Sequence, residues 1–294
     1  MNFQESFIHY LQYEKRFSVH TVVAYQKDLN QFVEFFTNRI GDFDVKAVHD
    51  RLVRDWVLQL MEEGVSPRTV HRKISTLKSF FRYLVKMGEL ESLPIGKITL
   101  PKVRKKLPNF VEEMPLHHLL DGGFFGDDFE GQRDKLVIAL LYGTGIRLSE
   151  LLQLTDREVD LVQRLIKVTG KRNKQRLIPF PAELVGMIER YRVLRYEATG
   201  VESGRLLVTS KGEPAYEKLI YRIVKGYLSL VTSLDKRSPH VLRHTFATHL
   251  LNRGADLNAV KELLGHSNLA ATEVYTHTTF SKLHSIYQQA HPRG

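Results

Sequence analysis

The chain has 294 residues and no cysteine, which excludes disulfides, thiolate metal sites and cysteine nucleophiles. That length suits two domains better than one and can bury ample apolar surface without staples. A net charge of +10 and a pI near 9.6 fit a partner that is a polyanion. The opening stretch MNFQESFIHYLQYEKR is amphipathic and carries acids, unlike a signal peptide, and no stretch is long and apolar enough to span a bilayer. A soluble, cytoplasmic protein with no membrane partner is expected.

The first part reads as a helical bundle. Val22, Tyr25, Leu29, Phe32 and Phe36 recur at helical period. Ser66 and Pro67 form an N-cap and first-turn pair, after which Val70, Ile74, Leu77, Phe81 and Leu84 mark a buried face. A second stripe on that helix, Arg68, Arg72, Ser75, Ser79, Arg82 and Lys86, is polar with basic residues at both ends. It suits phosphate contacts along a groove, or equally a solvated outer face. From Leu93 to Pro108 the pattern stops: LPIGKITLPKVRKKLP holds three prolines, a glycine and the cluster Lys102, Arg104, Lys105 and Lys106. Proline disfavours both helix and central strand, so an extended basic connector that tracks nucleic acid is expected. The expected organisation is residues 1–92 as a helical domain, 93–108 as linker and 109–294 as a mixed domain.

In that last part a helix through Asp134–Tyr142 is expected to end at Gly143, and another to begin near Arg147. Arg164–Thr169 and Gln175–Phe180 read as strands joined by the turn GKRNK. Helices follow at about 182–198 and 216–231, then in series from His240 to the C-terminus. The fold class is therefore mostly α with a small antiparallel sheet. Lys167, Lys171, Arg172, Lys174 and Arg176 concentrate charge around the hairpin and read as part of a nucleic-acid footprint.

The richest stretch is HVLRHTFATHLLNRGADLNAVKELLGHSNLAATEVY, with His240, Arg243, His266 and Tyr275. A phosphodiester can be broken without metal if fixed cations hold its oxygens, a nucleophile attacks phosphorus and an acid protonates the leaving oxygen. Arginine suits the first role and tyrosine the second, by way of a covalent intermediate. Arg147 lies beyond a Gly-Thr-Gly turn, with Glu150 one helical turn on to orient it; the plain alternative is a surface ion pair. Lys171, with an ordinary pKa of about 10.4, becomes a useful acid only if neighbouring cations depress it. His240 and Arg243 are three apart on one helix and face the same way. His244 completes a zinc-like spacing, but Val241 replaces the glutamate of HExxH and no third ligand is evident. The glycines at 143 and 145 lack the third of a dinucleotide fingerprint, and Arg172 replaces the Ser or Thr of a P-loop. No metal and no cofactor are expected. Chemistry alone does not pick Tyr275 from twelve tyrosines.

GTGIRLSELL at 143–152, VTGKRNKQRLIPF at 168–180, HVLRHTFATHLL at 240–251, LLGHSNLAATEVYTH at 263–277 and HPR at 291–293 resemble, in order and interval, the tyrosine recombinases, specifically their Xer branch. RFSVHTVVAYQKDLNQF at 16–32 and GVSPRTVHRKISTLKSFFRYL at 64–84 are similar to that family's N-terminal core-binding, SAM-like domain. The resemblance implies a clamp around DNA built from that domain and a catalytic domain. It implies Tyr275 as nucleophile, Arg147 and Arg243 as the phosphate clamp, Lys171 as general acid, His240 in proton transfer and His266 in support of the phosphate. Arg172, Lys174 and the basic residues of the helix and connector become DNA contacts. The implied partners are double-stranded DNA with a specific recombination site, and three further copies or a paralogous recombinase in a tetramer. A DNA translocase is a further candidate, as activator. The tail, with Phe280, Leu283, Ile286 and Tyr287 on one face, is implied to dock on a neighbouring subunit.

The implied role is resolution of chromosome or plasmid dimers at cell division. The alternatives are a mobile-element integrase or transposase, a type IB topoisomerase, and a non-catalytic DNA-binding protein with the same fold. The chain begins directly at the clamp, with no extra arm-binding domain, which favours the Xer reading. It departs from the family pattern in Leu93-Pro94, where Asn-Pro is common, and in the acidic, glycine-rich stretch DGGFFGDDFEGQ at 121–132.

Overall fold

The computed structural model describes residues 2–96, 98–103, 109–170, 175–200, 204–265, 287 and 289–293. Arg104, Lys105, Lys106, Lys171, Arg172, Lys174, His266 and Tyr275 lie outside the described residues. The chain divides into two compact units, Met1–Lys106 and Leu107–Gly294.

The first unit holds α1 (Phe3–His9), a π-helical turn at Tyr10–Glu14, α2 (Val19–Ile40), α3 (Asp50–Glu62) and α4 (Pro67–Lys86). Ser18 and Ser66 start α2 and α4 as foreseen, each accepting a bond from the backbone N–H three residues on. Val70, Ile74, Leu77, Phe81 and Leu84 are at most 1% exposed and meet Phe7, Leu29, Phe32, Phe36 and Trp56 in one core. Within it Asp28, 1% exposed, accepts from Arg72, Lys73 and Thr76. A buried carboxylate survives only with such partners. Arg68, Arg72 and Arg82 are exposed as the polar stripe requires.

The connector begins inside this unit rather than outside it. Ile95 is 3% exposed and Ile98 and Leu100 pack on the same core. The Gly96 amide donates to Asp50 (2.8 Å), and His71 bonds the Pro101 carbonyl (2.9 Å). The described residues of 93–101 have no helix or strand, in keeping with the prolines, yet they are anchored; Lys102 beyond them is exposed.

The second unit contains α5 (Glu113–Asp121), α6 (Phe129–Thr144), α7 (Leu148–Gln153), β1 (Val159–Asp160), β2 (Leu165–Thr169), β3 (Gln175–Pro179), α8 (Glu183–Thr199), α9 (Glu217–Val231), α10 (Pro239–Asn252) and α11 (Leu257–Leu264). The strands form an antiparallel sheet in the order β1-β2-β3, with Val168 opposite Arg176. From Leu136 to Thr144 every residue of α6 is buried, which makes it the central helix against α8, α9 and α10.

That helix begins five residues earlier than expected. Asp128 caps it through the Gly131 amide (2.8 Å), so the end of the acidic stretch is helical. It also runs past Gly143 to Thr144 and is closed by Gly145 at φ 59°. A Cβ there would lie 2.4 Å from the Phe246 ring, so glycine is needed both for the turn and for α10's approach.

Of the tail's apolar face, Phe280, Leu283 and Ile286 lie outside the described residues, and Tyr287 lies within them. Tyr287, 1% exposed, is part of its own unit's core and donates its hydroxyl to the Gly143 carbonyl (2.7 Å). His291 stacks on its ring at 4.9 Å, and Arg293 pairs with Asp121 and Glu183.

Candidate active site

The site is organised by one carboxylate and one helix end. Glu150, on the first turn of α7, is 5% exposed. Its Oε1 accepts from Arg147 Nη1 (2.8 Å) and Arg176 Nη1 (2.7 Å), while Oε2 accepts from the Arg147 backbone N–H (2.9 Å) and Arg176 Nη2 (2.8 Å). Burial raises its carboxyl, but the bonds from Arg176 and Arg147 outweigh that and bring it down to about 2.

At the C-terminal end of α11 three consecutive carbonyls, which that helix leaves without partners of its own, each accept from a different arginine. Leu263 accepts from Arg176 Nε (3.1 Å), Leu264 from Arg243 Nη2 (2.6 Å) and Gly265 from Arg147 Nη2 (2.6 Å). Arg243 also donates to the Gly145 carbonyl. The negative end of the helix dipole favours this gathering of cations.

Three guanidiniums against one carboxylate leave two positive charges over, the electrostatics of an anion site. Burial, reinforced by Arg147 and Arg176, lowers Arg243 to about 9, so it stays charged at neutral pH. Arg147 keeps 31% of its side chain exposed, whereas Arg243 is 7% exposed.

The structure thus brings Arg147 and Arg243 together, although they come from the turn after α6 and from α10. His240, one turn before Arg243, is exposed where Arg243 is buried, so the two do not share an environment. Burial lowers the neighbouring His244, helped by the charge of His240. Arg176 corrects the reading of the hairpin's basic cluster: it is 7% exposed and paired, not part of a solvated footprint. Among the described residues no group of three or more His, Cys, Asp or Glu is placed to hold a metal ion. No helix among them is long and apolar enough to cross a membrane.

Residues 125–282 match the phage integrase family, and residues 5–88 match the phage integrase N-terminal SAM-like domain. Tyrosine recombinase XerC of Chlorobaculum tepidum is 40% identical, covering 98% of this chain and 94% of its own. Tyrosine recombinase XerC of Bacillus subtilis is 37% identical, covering 100% of this chain and 97% of its own. In fold the chain is similar to the XerH site-specific recombinase bound to a palindromic difH substrate, with a TM-score of 0.74 and 23% identity over 91% of this chain and 79% of that one. It is also similar to the Tn1549 transposon integrase in complex with transposon right end DNA, with a TM-score of 0.73 and 23% identity over 98% and 99% of the two chains.

Proposed function

The chain belongs to the phage integrase family and is a tyrosine recombinase, an enzyme that cuts and rejoins DNA; on that premise we propose a Xer-type role and a set of residues for the reaction. In this reading Tyr275 attacks the scissile phosphate, forms a 3′-phosphotyrosine bond and releases a 5′-hydroxyl. Arg147 and Arg243 hold the non-bridging oxygens as charge develops on them. Lys171 protonates the leaving 5′ oxygen, His240 assists proton transfer and His266 supports the phosphate. The phosphotyrosine keeps the bond energy, so the 5′-hydroxyl of a partner strand reseals the break. The basic residues Arg68, Arg72, Arg82, Lys102, Arg104, Lys105, Lys106, Arg172 and Lys174 contact the DNA backbone.

The observation that supports this best is the pair Arg147 and Arg243 on adjoining carbonyls, Gly265 and Leu264, at the end of the helix that leads into His266 and Tyr275. The role in this reading is resolution of chromosome or plasmid dimers by a cytoplasmic, nucleoid-associated tetramer, with one kind of subunit or two; the near-full-length likeness to the XerC relatives supports a Xer-type role. A DNA translocase is the activator such a role calls for.

The test is a nicked duplex carrying the organism's candidate recombination site, incubated with wild type and Tyr275→Phe in excess EDTA. A covalent adduct on a denaturing gel, mapped to Tyr275 by mass spectrometry and lost in the variant, is expected. An adduct at another tyrosine overturns the assignment. No adduct despite tight, specific binding points to a missing paralogous partner or a binding role.

A further inference from the structure

Arg176 is buried and makes three bonds. Two go to both oxygens of Glu150 and the third to the Leu263 carbonyl, with 7% of the residue exposed. Its guanidinium also lies against Gly265, where an added Cβ would come within 3.1 Å of Nη1, and Gly265 turns the chain at φ 64°. One planar group is therefore wedged between the carboxylate that orients Arg147 and the last turn of α11. The guanidinium makes these bonds from three separate nitrogens in one plane, a spread that an ammonium, with its three donors on a single nitrogen, does not reproduce.

We propose that Arg176 is a positioning residue for strand cleavage: through Glu150 and the Leu263 carbonyl it holds Arg147 and the exit of α11 in one register. The inference rests on the reading of Arg147 and Tyr275 given above. The bonds of Arg176 go to Glu150 and Leu263, so in this proposal it acts through them rather than on the phosphate. Its effect is to keep the phosphate clamp and the segment carrying the nucleophile aligned, and a misplacement of about 1 Å costs on the order of 10²-fold in rate.

The experiment measures the rate of phosphotyrosine formation by full-length protein at saturating concentration on the nicked duplex. One substrate has oxygen and the other sulfur at the bridging position of the leaving 5′ group. A thiolate leaves without an acid, so sulfur should restore cleavage by Lys171→Ala. Arg176→Lys should bind the duplex like wild type, cleave the oxygen substrate on the order of 10²-fold more slowly and stay equally slow on sulfur. A wild-type rate for Arg176→Lys overturns the inference; so does recovery on sulfur, because Arg176 would then serve the Lys171 hairpin instead.

Poor folding lowers the amount of adduct, not its rate at saturation, so it is read separately. Glu150→Gln and the double variant E150Q/R176K close a cycle. A double loss well short of the product of the single losses is expected, and a full product overturns the coupling through Glu150. If wild type forms no adduct at Tyr275, the underlying reading of the site fails before Arg176 is in question. If wild type cleaves and the Arg176 outcomes fail, only this inference falls.

Discussion

Glu150 answers to two arginines at once, and its replacement tests how much the cluster depends on it. Glu150→Gln leaves the buried Arg176 and the half-buried Arg147 without their counter-charge. Losing one partner of a buried pair costs about 3–5 kcal/mol, measurable by urea unfolding at neutral pH. The carboxyl falls from 4.5 to about 2 in the folded protein, so its stabilisation is full above about pH 4.5 and is lost as pH falls toward about 2. Wild type should therefore lose more stability than Glu150→Gln across that window. The Arg147–Glu150 pair was legible in the sequence, because three-residue spacing on a helix brings side chains together. Arg176 was not, because charge says nothing of depth. A signal was available: on a strand it shares parity with Ile178 and Phe180, both buried, and so had to point inward with them.

At the scale of elements, α4 was readable from its apolar period alone, since that period is the buried face. The start of α6 was hidden by Gly131, which weakens a helical reading but is needed here: a Cβ would come within 2.3 Å of the Gly126 carbonyl. The strand β1, two residues long, is too short to carry an alternation. Gly145 links two elements, because it closes α6 and lets α10 approach. Gly145→Ala should lose about 1–2 kcal/mol for its left-handed backbone, and about 1–3 kcal/mol more for crowding Phe246. Gly200→Ala, at φ 63° with nothing within 4 Å, should show only the first loss. Equal thermal shifts in the two variants would mean that Phe246 moves aside freely.

For the whole molecule, the tail is tied into the second unit's own core, where burial pushes the Tyr287 hydroxyl up and the His291 imidazole down to about 3. His291 is thus neutral when folded and takes up a proton on unfolding below about pH 6.5. Its stabilisation is complete above that value and is lost as pH falls toward about 3. His291→Phe, which keeps a ring against Tyr287, should flatten the dependence of urea stability on pH across that window. An unchanged slope would show that His291 titrates alike in both states.

The sequence by itself determined the helical units, the family, the tyrosine recombinase chemistry and Arg147 with its orienting Glu150, because periodicity and short spacings express local geometry. The tertiary structure decided what depends on elements distant in the chain. Arg176 reaches Glu150 and Leu263, the connector lies on Asp50 and His71, and the tail closes over Tyr142 and Phe246. Whether a charge is solvated or buried depends on what packs over it, and no spacing along one strand or helix carries that.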